Sequence, residues 1–112
     1  MLRARIDPEA KGAAILFAAL GDKTRLQLVV RLSNDGPTSI TGLTTGSRVS
    51  RQAITKHLRV MKAAGLVRNA RHGRESVWQL ERQGLEEAQH YLKLISKHWD
   101  DALDRLRAFV EE

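Results

Sequence analysis

The sequence has no cysteine among its 112 residues. Disulfides, thiolate metal centres and a cysteine nucleophile are thereby excluded. Aromatics are also scarce, with Phe17, Trp78, Tyr91, Trp99 and Phe109 the whole set, so the core of a chain this short must be mostly aliphatic. No apolar run approaches the roughly 18 residues that suggest a membrane span. The longest is Gly12 to Leu20, and no cleavable signal pattern opens the chain, so a cytoplasmic protein without membrane association is expected. There is no Gly-x-Ser-x-Gly, no phosphate loop and no evident pair of catalytic carboxylates, which argues against an enzyme.

The most informative absence is of acid. No Asp or Glu occurs between Asp35 and Glu75, while Arg48, Arg51, Lys56, Arg59, Lys62, Arg68, Arg71 and Arg74 all lie in that gap. By segment, residues 1–21 carry a net charge of +1, residues 22–82 carry +8 and residues 83–112 carry −3. A polyanion is the natural partner of such a patch.

Alanine and leucine dominate, which favours helices, and the length suits one domain over 1–112. Asp7-Pro8-Glu9 reads as a helix start, and the helix it opens should run to about Leu20. That helix has no polar side chain from Gly12 onward and so should be covered on more than one side. Asp22 can cap a second helix with Leu26, Val29, Val30 and Leu32 pointing inward and Lys23, Arg25 and Arg31 outward. Thr38 to Thr45 reads as a short helix of two turns, followed by a turn at Gly46-Ser47-Arg48. Ser50 to Leu66 is the most strongly marked stretch. Ser50 is a good N-cap and Gly65 suits the left-handed residue that ends a helix. Ile54, Leu58 and Met61 should face a core, leaving Arg51, Gln52, Thr55, Lys56 and Arg59 on an outer face with no acid. Guanidinium suits guanine edges, amide suits adenine edges and hydroxyl either, so this is a candidate recognition helix for a major groove.

Beyond Gly65 the period changes. Leu66 to Arg71 and Ser76 to Leu80 read as two strands, with His72-Gly73-Arg74-Glu75 the turn between them. Arg71, His72 and Arg74 at the tip could meet phosphates or a narrow minor groove. From Leu85 to Val110 runs a helix with a seven-residue repeat, Leu85, Leu92, Trp99 and Leu106 in one row and Ala88, Ile95, Ala102 and Phe109 in another, widened by Leu103 and Val110. The opposite face, with Glu86, Glu87, Lys93, Lys97, Asp100, Asp104 and Arg107, should be solvated. The fold class expected is mainly α with a small β-hairpin, a winged helix-turn-helix spanning 38–65 with its wing at 66–80. Residues 1–20 and 84–112 are expected to pair two copies through Ala14, Phe17, Leu92, Ile95, Trp99, Ala102, Leu103, Leu106 and Phe109. DNA contacts are expected from Ser50, Arg51, Gln52, Thr55, Lys56 and Arg59, with Arg48, Arg71, His72 and Arg74 at the turn and wing.

Ala-Leu-Gly-Asp-Lys-Thr-Arg25, Val-Ser-Arg-Gln-Ala-Ile-Thr-Lys-His-Leu58 and Ala-Ala-Gly-Leu-Val67 with the basic hairpin after it resemble the ArsR-type (arsenical-resistance repressor) family. The resemblance covers residues 14–80 closely and the terminal helices in pattern. It implies a homodimeric repressor of a palindromic double-stranded DNA operator, released by an inducer. Ser39 and Thr41 stand where well-known members carry a Cys-x-Cys metal sensor, so the metal-independent branch is implied, with no metal or cofactor and an inducer that the sequence does not identify, a small molecule being one candidate. Glu87 with His90 and His98 with Asp101 have a spacing that could share a metal, but solvated histidines are the expectation. His57 should be a partly buried, hydrogen-bonded residue at the core's edge, and Trp78 and Trp99 packing residues. The alternative is a winged-helix protein-interaction module binding an acidic protein. Such modules usually lose their base-reading side chains, whereas Arg51, Gln52, Thr55 and Lys56 are present.

Overall fold

A computed structural model describes residues 8–111. The order of elements is α1 (Pro8–Leu20), α2 (Lys23–Asp35), β1 (Thr38–Ser39), α3 (Ile40–Thr44), α4 (Arg51–Ala63), β2 (Val67–His72), β3 (Glu75–Leu80) and α5 (Arg82–Glu111). This is the winged helix-turn-helix arrangement expected. The Asp7 cap lies outside the described residues.

The helix ends follow their local chemistry. Asp22 and Ser50 cap α2 and α4, accepting from the amides of Arg25 and Ala53 at 3.0 and 3.1 Å. At the end of α4, Gly65 has φ of 81°, its amide donates to the Lys62 carbonyl, and Leu66 donates to that of Met61. These two bonds close the helix in a Schellman motif, which needs a residue tolerant of positive φ. The most deeply buried side chains are Leu43, Ile54, Leu58, Met61 and Leu66. The core therefore sits where α3, α4 and the start of the wing meet.

Three expectations need correction. Thr38 to Thr45 is not a two-turn helix: Thr38 and Ser39 form a strand paired antiparallel with Trp78 and Val77, and the helix shrinks to Ile40–Thr44, capped by Ser39 Oγ on the Gly42 amide at 3.0 Å. The sheet thus has three strands, ordered β1-β3-β2, because the inner edge of the hairpin finds a partner. In α2 the buried residues are Leu28 and Leu32, while Leu26 and Val30 are half exposed. Arg25 and Arg31 turn inward instead. Arg25 Nε donates to the Ala19 carbonyl at 2.6 Å, and Arg31 Nη1 and Nη2 donate to the carbonyls of Leu43 and Gly42 at 3.1 and 2.7 Å. Each satisfies carbonyls at a helix end, which fixes the rotation of α2. Lastly, His72 and Glu75 are paired strand residues, and only Gly73 and Arg74 form the turn.

The long helix α5 begins at a very tight joint. A Cβ on Gly84 would overlap the Gly65 carbonyl oxygen, so the first turn of α5 rests on the backbone that ends α4. The Glu81 amide donates to the Leu66 carbonyl at 2.8 Å across the same joint. On α1, Ala13, Leu16 and Ala19 are buried, and Phe17 meets Tyr91 of α5 with ring centroids 6.4 Å apart. From Ile95 onward every described residue of α5 but Ala102 is exposed. The Cα radius of gyration is 18.6 Å, against about 13 Å for a compact domain of this length. The far half of α5 projects as an arm. Although α5 has 30 residues, no described helix is both long and apolar enough to cross a membrane.

Gly84→Ala should lower stability by about 1–3 kcal/mol, because the backbone it meets cannot move aside cheaply. Glycine to alanine inside a helix ordinarily adds up to about 1 kcal/mol. The urea midpoint therefore decides by its sign, and a variant as stable as the parent would mean that α5 does not rest on the Gly65 turn.

Candidate nucleic-acid interface

The outer face of α4 emerges from its own sequence period and from how the helix is gripped behind. Ile54, Leu58 and Met61 are wholly buried, which leaves Arg51, Gln52, Lys56 and Arg59 exposed and Thr55 half-buried. Ser50 is exposed as the cap. In front of the helix, Gly46 takes φ of 75° and the Ser47 amide donates to the Thr44 carbonyl at 3.0 Å. Ser47 Oγ then accepts from the Val49 amide at 3.0 Å. These local bonds set the turn between α3 and α4, with Arg48 exposed on it.

Behind α4, His57 is half-buried, as expected for the core's edge. Arg25 Nη1 lies 3.3 Å from His57 Nδ1, and Asp22 Oδ2 is 3.8 Å from the same nitrogen. Asp22, Arg25 and His57 thus join the end of α1, the start of α2 and the middle of α4. The Arg25 amide bonding to the Asp22 carboxylate holds that carboxyl below its ordinary range. Partial desolvation opposes this, and the charges of His57 and Arg25 reinforce it.

Two of the outer side chains are less free than their types suggest. Thr55 Oγ1 donates to the Arg51 carbonyl at 2.8 Å, and Arg51 Nη1 donates to Thr41 Oγ1 at 3.4 Å. No such tether holds Gln52, Lys56 or Arg59 among the described residues. Among the described residues, Arg48, Arg51, Lys56, Arg59, Arg71 and Arg74 have no carboxylate within ion-pair distance. The face is as cationic in space as the gap between Asp35 and Glu75 is in sequence.

The wing divides its residues between two sides. Side chains alternate along a strand, so the pairing of Asn69 with Trp78 and of Arg71 with Ser76 places those four on one face of the sheet. His72, opposite Glu75, falls on the other face with Arg68. With its amide oxygen turned to the guanidinium, Gln79 accepts from Arg68 Nε and Nη2 at 2.6 and 2.8 Å, and Glu81 lies 3.9 Å away. Arg74 occupies the turn. The structure therefore brings Arg71 toward the α4 side and puts His72, in register with Glu75, on the other. Lys62, Asn69 and Ser76 share a groove with Arg51, Thr55 and Arg59 but are absent from the DNA contacts expected from sequence, where Lys62 figures only as one of the cations in the acid-free gap. The signal for Lys62 was available, since residues 51, 55, 59 and 62 recur at helical spacing.

The residues expected to pair two copies lie on α1 and α5. Ala14 is exposed and Phe17 half-buried, while Leu92, Trp99, Leu106 and Phe109 are 53, 65, 58 and 77% exposed. Ile95 and Leu103 are also exposed, and Ala102 is half-buried. Trp78 is a buried packing residue, whereas Trp99 stands largely exposed. Glu87 and His90 line a groove between α1 and α5 with Gly12, Ala13, Gln83, Glu86 and Tyr91. Among the described residues no three His, Asp or Glu side chains converge as a metal site would require.

Comparison with known proteins places this architecture. The model of a bacterial regulatory protein family, arsR, matches residues 22–69. HTH-type transcriptional regulator Rv2034 of Mycobacterium tuberculosis is 42% identical over 69 residues, which are 62% of this chain and 64% of that protein. HTH-type transcriptional regulator YuzN of Bacillus subtilis is 38% identical, the match covering 55% of this chain and 74% of that protein. Among solved structures, an ArsR-like transcriptional regulator from Rhodococcus sp. RHA1 superposes with a TM-score of 0.76 at 34% identity, over 88% of this chain and 92% of that one.

The Asp22 cap carries a pH prediction. A carboxyl held below its ordinary value, 3.8, stabilises the fold above that value and loses the contribution as pH falls through the lower folded-state pKa. Asp22→Asn keeps a capping oxygen but not the charge. Its urea midpoint should fall less steeply on acidification through the carboxylate range than that of the parent, and parallel profiles would remove Asp22 from the acid response.

Proposed function

Because the chain belongs to the arsR family of bacterial regulatory proteins, we propose that it is a homodimeric repressor that binds a palindromic double-stranded DNA operator. Its relatives are transcriptional regulators rather than enzymes. The observation that carries the reading is the outer face of α4, where Arg51, Gln52, Lys56 and Arg59 are exposed and, among the described residues, no carboxylate lies within ion-pair distance of Arg51, Lys56 or Arg59. A major groove offers what such a face lacks, acceptors for guanidinium and paired edges for amide. Ser50 lies at the start of that helix, where its N-terminal turn enters the groove.

Gln52 reads base edges in this account, with Lys56 and Arg51 assisting. Thr55 contributes its methyl group and its acceptor lone pairs, since its proton is held by the Arg51 carbonyl. Arg48, Arg59, Arg71 and Arg74 meet phosphates, and His72 sits at the wing's outer side. The second copy is supplied by the apolar rows of α5. Fully burying a large apolar side chain contributes about 1.5–3 kcal/mol, so burying Leu92, Ile95, Trp99, Leu103, Leu106 and Phe109, with Ala14, Phe17 and Ala102 beside them, is of the size needed to offset the roughly 4–15 kcal/mol cost of association. A small molecule is the inducer class we propose for release, in keeping with the resemblance to the metal-independent branch. A cytoplasmic protein fits this role.

Gln52→Ala should cost about 1–3 kcal/mol at one or two base pairs of an operator and relax specificity there. Arg74→Ala should weaken all sequences alike and lower the salt slope of binding by about one unit. Titration of both variants against single-base-pair variants of a selected operator separates the roles. Indistinguishable profiles would contradict the division between base reading and phosphate anchoring.

A further inference from the structure

A half-open groove of about 310 Å³ runs between α4 and the wing. Its α4 wall is the row Arg51, Thr55, Arg59 and Lys62, its floor is Ile40 and Trp78, and its sheet wall is Asn69 and Ser76. None of the described residues that line it is acidic. At about 1.5 Å per residue the α4 row extends about 16 Å along the helix. Trp78 is 5% exposed, so it closes the floor without projecting. Asn69 Nδ2 donates to Ser76 Oγ at 3.2 Å. A second amide N–H and the Ser76 hydroxyl proton remain as neutral donors to an incoming acceptor.

We propose that this groove seats the sugar-phosphate backbone of one DNA strand, held by Lys62 and Arg59 from the helix and by Asn69 and Ser76 from the sheet. The inference rests on the reading of the chain as a binder of duplex DNA and adds where a strand lies and that Lys62, Asn69 and Ser76, outside the outer face, hold it together with Arg59. The chemistry is matched on each side. Cations along the rim suit phosphates, neutral donors suit their oxygens, and a shallow apolar floor suits deoxyribose. The groove's openness and continuity favour a strand over a small anion. It shares Arg51, Thr55 and Arg59 with the depression on the outer face of α4 that Gln52 and Lys56 also line, whereas small-molecule sites enclose most of their ligand. A strand leaving the base-reading face thus passes directly into the groove, and Arg71 extends the same sheet face toward the hairpin tip.

The test is the affinity for a mixed-sequence duplex, by fluorescence anisotropy over a series of salt concentrations. Lys62→Gln should weaken binding and lower the slope of log affinity against log salt by about 0.9, the value for one phosphate contact. Asn69→Ala should weaken binding with the slope unchanged, because the donor lost is neutral. Arg107→Gln removes the same charge beside Asp104 on α5 and should match the parent. Lys62 and Asn69 are exposed, so all three variants should unfold at the parent's temperature. A Lys62→Gln slope equal to that of Arg107→Gln, while Arg74→Ala loses slope, overturns the groove and leaves DNA binding standing. Loss of mononucleotide binding by calorimetry in Lys62→Gln, with the duplex slope unchanged, makes the groove a small-anion site and also overturns the proposal. A parent protein with no salt-dependent affinity for duplex would instead overturn the reading on which the groove depends.

Discussion

Gly84 lies so close to the Gly65 carbonyl that no side chain fits between them, and this contact decides how the two functional helices stand to each other. Gly65 is the left-handed residue that ends α4, and Gly84 is in the first turn of α5. Neither can carry a side chain cheaply, one because of its backbone and the other because of its neighbour. The Leu66 carbonyl accepts from Glu81 at the same place, so the joint is bonded as well as packed. Any pairing of two copies through α5 is thereby transmitted to α4 as a fixed separation.

The same helix is gripped along its back by chemistry of a different kind. Ile54, Leu58 and Met61 supply apolar burial, while Asp22 and Arg25 meet His57 from the start of α2, with Arg25 also bonded to the end of α1. Arg31 holds the carbonyl end of α3, which sets the turn before α4. The half-buried Arg25 and Arg31 of α2 thus do structural work, whereas among the described residues Lys56, Arg59, Lys62, Arg71 and Arg74 of α4 and the wing have no carboxylate within ion-pair distance. Charge that the fold does not use is concentrated on one surface. That division makes the outer face a credible seat for a polyanion, where a scattering of surface arginines would not be.

Much of this was legible in the sequence because it is local. The caps at Asp22 and Ser50, the glycine ending α4 and the apolar triplet of α4 each depend on neighbours within one or two turns. The two sides of α2 were not legible. Leu26 and Val30 look like core residues by type, and only the carbonyls of Ala19, Gly42 and Leu43 explain why Arg25 and Arg31 turn in and leave them out. A two-residue strand such as Thr38–Ser39 has no periodicity of its own and exists because Trp78 and Val77 stand opposite. The groove beside α4 was hidden for a similar reason. Lys62, Asn69 and Ser76 come from two elements whose juxtaposition is tertiary, although the missing acids already marked the region.

The central claim is that two copies of α4, held by paired α5 arms, read successive major grooves on one face of a duplex. The most direct measurement is selection from random duplex DNA at near-physiological salt, with sequencing of the bound pool. The account predicts a palindromic consensus whose half-site centres lie about one helical turn, 34–36 Å, or a multiple of it apart. Enrichment of single, unpaired half-sites, or no enrichment in a protein that is otherwise folded, would contradict it.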